Sequence, residues 1–231
     1  MGRKRYVAGT VSAGTLVVVA TPAPAVAGPV VHEDKIRNVP DIAGEWYRDV
    51  VEWADTTPGP VQTFMEHFTE LGIVVLAAMW ALVFWRSRRG PVKPMAVALA
   101  GGLGVVIAYG LSEWSKTYLD AERPCRTFSE LTIIADACPP TGDWSFPSNH
   151  STIAAGLVVA IFLVSWRVGL LALPVGVLAG FSRIFVGVHY PHDVAAGFLI
   201  GAATTVIVAA LLARPASKLV RAVGPARDDS E

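Results

Sequence analysis

SRIFVGVHYPHD, residues 182–193, places a serine, an arginine, two histidines and an aspartate between two long apolar runs. The flanking runs are of membrane-spanning length and carry almost no other charge. Ionisable side chains in such a setting cost several kcal/mol unless they are paired or hydrated, so they usually serve a function. The stretch therefore predicts a functional site at one end of a pair of membrane helices.

The composition predicts a membrane protein. The chain has 231 residues, of which 53% are hydrophobic and 16% charged, and its mean hydropathy is +0.48. These values are typical of one membrane-embedded domain rather than a water-soluble globule. The formal net charge is zero, which argues against a nucleic-acid partner, since such proteins carry a basic face. The lipid bilayer is the partner that this composition indicates, and no feature calls for an obligatory protein partner.

The apolar runs predict an all-α, polytopic membrane helical bundle with five transmembrane helices and a sixth at the N-terminus. The five runs are 71–85, 94–114, 148–166, 168–188 and 191–213. Residues 1–28 are either a first membrane helix or a secretory signal with a cleavage site near 25–27, and both interpretations remain open. The membrane domain then covers 29–213, and a cytoplasmic tail covers 214–231. The polar segment 29–70 contains either an amphipathic helix, best placed at 44–54, or a solvated connector.

Basic residues predict the topology. Twelve of the 19 lysines and arginines lie in residues 1–5, 86–93, 167 and 214–231. The positive-inside rule places these segments in the cytoplasm and the stretch 182–193 on the extracytoplasmic side. The polar loop 115–147 then faces an oxidising compartment, which favours a disulfide between Cys125 and Cys138 over two free thiols.

Three polar clusters share the extracytoplasmic surface under this topology. They are Lys116 with Arg123; Ser148 with Asn149 and His150; and Arg183 with His189 and Asp193. Three cations directed at one point fit a tetrahedral phosphate. Ser148 is placed as an N-cap, which adds the positive end of a helix dipole to the same site.

The histidines supply the chemistry of phosphoryl transfer. His189 lies four residues before Asp193, whose carboxylate can fix the imidazole tautomer and leave the other ring nitrogen to attack phosphorus. His150, from another helix, would protonate the leaving oxygen and later activate water. The three cations neutralise the charge that Mg²⁺ handles in other phosphoryl-transfer enzymes, so no metal or other cofactor is required.

The motifs K-x6-R-P (116–124), P-S-x-H (147–150) and S-R-x5-H-x3-D (182–193) together resemble the type 2 phosphatidic acid phosphatase family, which is related to vanadium-dependent haloperoxidases. The resemblance implies a six-helix membrane bundle and a metal-independent phosphatase. It further implies that His189 is the nucleophile, Asp193 its partner and His150 the general acid. Lys116, Arg123, Ser148 and Arg183 would hold the phosphate.

Asn149 departs from the family pattern, which has glycine between the serine and the histidine. Asparagine tolerates positive φ better than most residues, so the backbone N–H of Asn149 could still face the phosphate. We therefore expect Asn149 to contact the phosphate and its side chain to shape the pocket. We also expect Glu113 to pair with Lys116, and His192 to support the site or contact substrate.

The resemblance and the topology together predict a lipid phosphatase of the bacterial plasma membrane with an extracytoplasmic active site. Its substrate would be a lipid phosphate monoester or diphosphate, such as a phosphatidate-type lipid or undecaprenyl diphosphate. Two alternatives remain. One is a vanadate-dependent haloperoxidase, although those proteins are soluble, and the other is a membrane protein that binds phospholipid headgroups without catalysis.

Overall fold

The computed structural model describes residues 41–223, and within that range it contains helices and no β-strand. The helices are α1 (Asp41–Asp55), α2 (Gly59–Ser87), α3 (Val92–Lys116), α4 (Pro124–Thr127), α5 (Asn149–Val164), α6 (Trp166–Phe185) and α7 (Pro191–Val223). The all-α prediction is confirmed for this part of the chain. The prediction for residues 1–28 lies outside the described residues, as does the end of the tail.

Four helices, α2, α3, α6 and α7, are long and apolar enough to cross a membrane. Their outward faces carry exposed apolar side chains such as Val74, Leu171 and Leu199, the pattern expected where a bundle meets lipid. Helix α5 is shorter, because its 16 residues span about 24 Å against a hydrocarbon core of about 30 Å. The run predicted at 148–166 is therefore shorter as a helix than expected.

Ser165, rather than Arg167, separates α5 from α6. Its backbone is extended, with φ of −147° and ψ of 101°, so it ends α5 and also begins α6. The Ser165 N–H donates to Ile161 O at 2.8 Å, and the Ser165 carbonyl accepts from Gly169 N–H at 2.9 Å. Ser165 therefore lies at the end of α5 and at the start of α6. Helix α6 begins two residues earlier than the hydropathy predicts.

Helix α2 begins twelve residues before the apolar run at 71–85. Pro58 precedes its first turn and Pro60 lies within that turn, where the fixed φ of proline suits a helix and no N–H donor is lost. The polar residues Thr69 and Glu70 consequently lie inside a transmembrane-length helix, well after its first turn.

Helices α5 and α7 pack backbone against backbone. Two glycines of α7 make this possible, because a β-carbon at Gly197 would collide with Ser148 O and one at Gly201 with Thr152 O. The same contact is fixed at its end by a hydrogen bond from Ser148 N–H to Asp193 O at 3.1 Å. The start of α5 is thus held in register with the first turn of α7.

Helix α1 covers the connection between α6 and α7. Tyr47 is fully buried, and its hydroxyl donates to Gly187 O at 2.9 Å. Its ring packs against Phe128 and Tyr190, with centroid distances of 5.6 and 5.5 Å. The predicted helix at 44–54 is confirmed and is a few residues longer, and its buried face packs on protein.

Cys125 and Cys138 are bonded to each other in the structure, with an S–S distance of 1.98 Å. The bond closes part of the loop between α3 and α5, and Ala135 N–H, inside the closed segment, donates to Val186 O at 3.1 Å. The disulfide therefore restrains a segment that lies against the connection between α6 and α7.

We expect the loss of this disulfide to destabilise the fold by about 3 kcal/mol. The bond joins cysteines thirteen positions apart, and without it the unfolded chain gains the conformational entropy that the closed loop had removed. Reductant should lower the Tm of the detergent-solubilised protein by several degrees, as measured by a thermal melt. The double variant Cys125→Ser with Cys138→Ser should show the lower Tm and no response to reductant. An identical Tm in both proteins would contradict the prediction.

Candidate functional site

His189 lies in the short connection between α6 and α7. Gly187 has φ of +89°, a conformation that favours glycine, and allows the chain to turn sharply there. The N–H groups of Val188 and His189 both donate to Arg183 O at 3.2 Å. This turn folds the connection back over the end of α6 and buries the His189 side chain to 2% exposure.

A buried carboxylate orients the His189 ring. Asp193 Oδ2 lies 3.3 Å from His189 Nδ1 and also accepts from Tyr190 N–H at 2.8 Å. A carboxylate only accepts at this position, so the Nδ1 proton points to Asp193 and the lone pair is on Nε2. Arg123 Nη1 lies 3.2 Å from Nε2 and donates to it. His189 therefore presents its unprotonated nitrogen to a cation.

Arg123 and Lys116 are buried cations that share a carboxylate. Arg123 donates from Nε to Asp143 O and from Nη2 to Asp143 Oδ1, both at 2.8 Å, and from Nη1 to Val188 O at 3.1 Å. Lys116 Nζ lies 3.2 Å from Glu113 Oε1 and 3.8 Å from Asp143 Oδ1. Buried cations need such partners, and phosphate oxygens are acceptors of the same kind.

Arg183 supplies the third cation. Its Nη1 donates to Thr69 Oγ1 of α2 at 2.9 Å, whereas its Nε is buried without a hydrogen-bond partner among residues 41–223. A buried donor without an acceptor is unfavourable, and a ligand oxygen would satisfy it. The charges of Arg123, Arg183, Lys116 and His150 all act on His189, so the structure brings the predicted groups together.

Ser148 is the N-cap of α5, as predicted, and its hydroxyl is used inside the helix. Its Oγ accepts from Ser151 N–H at 3.4 Å and from Ser151 Oγ at 3.1 Å. Ser148 is fully buried. The first two N–H groups of α5, those of Asn149 and His150, and the helix dipole are directed to the position where an anion would bind at this helix end.

Asn149 is the first residue of α5, so its backbone N–H lies in the first turn of that helix without a positive φ. Its side chain is directed to α3, because Oδ1 accepts from Ser112 Oγ at 2.7 Å and Nδ2 donates to Glu113 Oε1. Asn149 therefore links α5 to the carboxylate that pairs with Lys116.

His150 contacts α2. Its Nε2 lies 2.8 Å from Glu70 Oε1, and its side chain is 26% exposed whereas that of Glu70 is 70% exposed. His150 and His189 thus each have a carboxylate partner. One pair is buried and the other is accessible to solvent.

His192 lies on the other side of Asp193. Its Nε2 is 3.2 Å from Asp193 Oδ1, and its ring stacks on Tyr190 and Phe146 at centroid distances of 5.3 and 5.8 Å. These contacts place His192 beside the Asp193 carboxylate, as expected for a residue that supports the site. The Ser182 hydroxyl is fully buried and donates to Ala179 O of its own helix at 2.8 Å.

Three site residues were missed in the sequence: Thr69, Glu70 and Asp143. Glu70 directly precedes the apolar run at 71–85, and this position at the start of a membrane run was the available signal. Thr69 carried no signal. Asp143 follows a glycine in a polar loop and is indistinguishable there from a solvated acid.

Burial lowers the pKa of His189 well below its usual value of about 6.5, and the charges of Arg123 and Arg183 lower this pKa further. The folded protein therefore keeps His189 neutral at a pH where the unfolded chain would bind a proton. Acidification below about 6.5 consequently favours unfolding, by at most about 1.4 kcal/mol per pH unit from this residue.

We expect the variant His189→Asn to lose less stability than the wild type on acidification, because asparagine has no proton to bind. The Tm difference, variant minus wild type, should become more positive between about pH 7 and pH 5, as measured by thermal melts in detergent. A difference that does not change with pH would contradict the lowered pKa.

Comparisons with known proteins agree with the motifs. The family model described as PAP2 superfamily matches residues 95–215, which include all three motifs. An undecaprenyl-diphosphatase of Sulfolobus acidocaldarius is 34% identical over 124 residues, which cover 52% of this chain and 54% of that protein. The undecaprenyl-diphosphatase BcrC of Bacillus subtilis is 31% identical over 144 residues, with coverages of 61% and 69%.

A solved structure shares the fold. LpxE of Aquifex aeolicus superposes with a TM-score of 0.54 at 24% sequence identity, covering 71% of this chain and 92% of that one. At that identity the likeness concerns the fold alone. The match to the Sulfolobus relative spans only about half of that protein's length.

Proposed function

This chain belongs to the PAP2 superfamily, as its three motifs predicted, and we propose that it is a membrane lipid phosphatase that acts through a phosphohistidine on His189. One observation carries the proposal. His189 Nδ1 faces the buried carboxylate of Asp193, while Nε2 faces Arg123 within a group of three cations. This arrangement is a neutral nucleophile in a phosphate-binding site.

In the first step, phosphate oxygens take over the N–H donors of Arg123, and the lone pair of His189 Nε2 becomes free to attack phosphorus. The bond between phosphorus and the leaving oxygen breaks as the P–N bond forms, and His150 gives its proton to that oxygen. Arg183 Nε has a free donor for a phosphoryl oxygen. The three cations neutralise the phosphoryl group, and we propose that no metal ion is needed.

In the second step, water attacks the phosphohistidine. His150, now neutral, accepts a proton from the water, the P–N bond breaks, and inorganic phosphate leaves. His189 and His150 return to their starting protonation states, so each turnover consumes one water and requires no other co-reactant. The solvent exposure of His150 supports its role with water.

We place the site on the extracytoplasmic side of an integral protein of the bacterial plasma membrane. The distribution of lysine and arginine supports this side. Five spans, α2, α3, α5, α6 and α7, would cross the bilayer. Helix α5 can be short because much of it is buried inside the bundle.

The substrate is proposed to be a lipid diphosphate or a phosphate monoester on a lipid, with a polyprenyl diphosphate favoured. Two of its relatives are named undecaprenyl-diphosphatase. A site at the end of a membrane bundle would admit a phosphate headgroup while the apolar tail stays in lipid.

A phosphate-release panel tests the proposal. Purified protein in EDTA would be given undecaprenyl diphosphate, phosphatidate and phosphatidylglycerol phosphate in one detergent, with and without vanadate. We expect phosphate release from at least one lipid, highest with the diphosphate, and inhibition by vanadate. Lack of release from all three would reject the phosphatase, and dependence on added metal would reject the metal-independent mechanism.

A further inference from the structure

Two consecutive residues of α2 contact the site from outside the matched region 95–215. Thr69 Oγ1 accepts from Arg183 Nη1 at 2.9 Å, and Glu70 Oε1 lies 2.8 Å from His150 Nε2. Glu70 is the carboxylate that forms an ion pair with His150 among residues 41–223. None of the three motifs includes either residue.

The Glu70 carboxylate bears on the protonation of His150, because cations also lie in this site. The guanidinium groups of Arg183 from α6 and Arg123 from the loop after α3 belong to the same site, and Glu70 from α2 is the carboxylate in contact with His150. A general acid must carry its proton before the leaving group departs. Two nearby guanidinium groups disfavour the imidazolium form, and a carboxylate in hydrogen-bond contact favours it.

We propose that Glu70 is a positioning residue that orients His150 and supplies the counter-charge for the protonated form required of the general acid. The inference rests on the proposed function and extends it to a residue on α2. In the imidazolium, Nε2–H donates to Glu70 and Nδ1–H remains as the proton for the leaving oxygen. After transfer, His150 is neutral and can accept a proton from water.

The two histidine–carboxylate pairs have opposite environments, which suits opposite roles. His189 and Asp193 are buried, with 2% and 0% of their side chains exposed, so His189 is kept from exchanging protons with water. His150 and Glu70 are 26% and 70% exposed, so protons can be exchanged there. Pairs of titratable groups in contrasting environments commonly divide base and acid roles in this way.

A purely structural role predicts a different result. An exposed ion pair usually contributes little to stability, so removal of Glu70 should leave the fold and its Tm nearly unchanged. Its removal should instead alter the pH range in which His150 is protonated. The pH profile of turnover therefore separates a positioning role from a surface contact.

The test is kcat and KM between about pH 5 and pH 9 for Glu70→Gln, Glu70→Asp and the wild type, with a lipid phosphate that the wild type hydrolyses. We expect the basic limb of the kcat profile to move about one unit to lower pH in Glu70→Gln, because the imidazolium loses its counter-charge. Near neutral pH, kcat should fall about tenfold with little change in KM, and Glu70→Asp should recover part of the loss.

Glu66→Gln is the matched control, since it removes the same charge one turn earlier on α2. An unchanged pH profile in Glu70→Gln, or an equal shift in Glu66→Gln, would overturn the proposal. NMR of labelled histidine can follow the titration of His150 directly, with its signal assigned through His150→Gln. This measurement compares the same variants without depending on catalysis. Failure of the wild type in the lipid panel would reject the phosphatase, whereas an unchanged His150 titration would reject the role of Glu70.

Discussion

His189→Ala should lower phosphate release by at least about 10³-fold, because the variant has no nitrogen to form the covalent intermediate. The cations and the start of α5 remain in this variant, so it should still bind lipid phosphate with an affinity close to that of the wild type. Phosphate release at saturating substrate measures the first effect, and vanadate or substrate binding measures the second. Turnover near the wild-type rate would reject the phosphohistidine mechanism.

His67→Ala is the matched control for this experiment. His67 is an exposed histidine on α2, and its Nδ1 lies 2.8 Å from Thr63 O in its own helix. We expect this variant to keep wild-type turnover. Rapid quenching of wild-type protein with labelled substrate should additionally trap phosphate on histidine, and the label should be absent from His189→Ala.

His150→Ala should slow turnover of a lipid phosphate monoester by roughly 10²- to 10⁴-fold, the range expected for loss of general acid–base catalysis. The alkoxide leaving group of such a substrate must be protonated as the P–O bond breaks. An aryl phosphate with a good leaving group does not need that proton, so its phosphorylation of His189 should be much less affected. Single-turnover kinetics with the two substrates measure this difference.

The same variant should accumulate phosphoenzyme from the aryl phosphate, since the water of the second step has lost its base. His150→Gln keeps a polar side chain of similar size and should behave like His150→Ala. Equal losses with both leaving groups, and no accumulation, would show that His150 has a role other than proton transfer.

Local sequence patterns predicted the helices and the motif residues because both depend on short-range information. The four-residue spacing between His189 and Asp193 predicted that their side chains lie close together. In the structure, His189 Nδ1 lies 3.3 Å from Asp193 Oδ2. The approach of α5 to α7 depended instead on Gly197 and Gly201 meeting carbonyls of another helix. Glycines at such spacing are frequent in membrane helices, so their partner could not be identified from the sequence.

The missed residues have a common physical cause. Glu70 and Asp143 are acidic residues at polar boundaries, where most acids are solvated. Their roles arise from cations that are 80 and 20 residues distant in sequence, His150 and Arg123. Only the packing of α2 and of the loop after α4 brings these charges together. The partners of the Asn149 side chain were not predictable for a related reason, since they lie on α3.

The carboxylates of Glu113 and Asp143 already pair with Lys116 and Arg123, two of the three cations, before any substrate arrives. Substrate phosphate therefore enters by exchanging one set of anions for another, and its net gain is smaller than three unpaired cations would provide. The exchange also works in reverse, because the same carboxylates compete with inorganic phosphate for these cations and favour its departure. The site is consequently suited to repeated turnover rather than to tight retention of its anionic product.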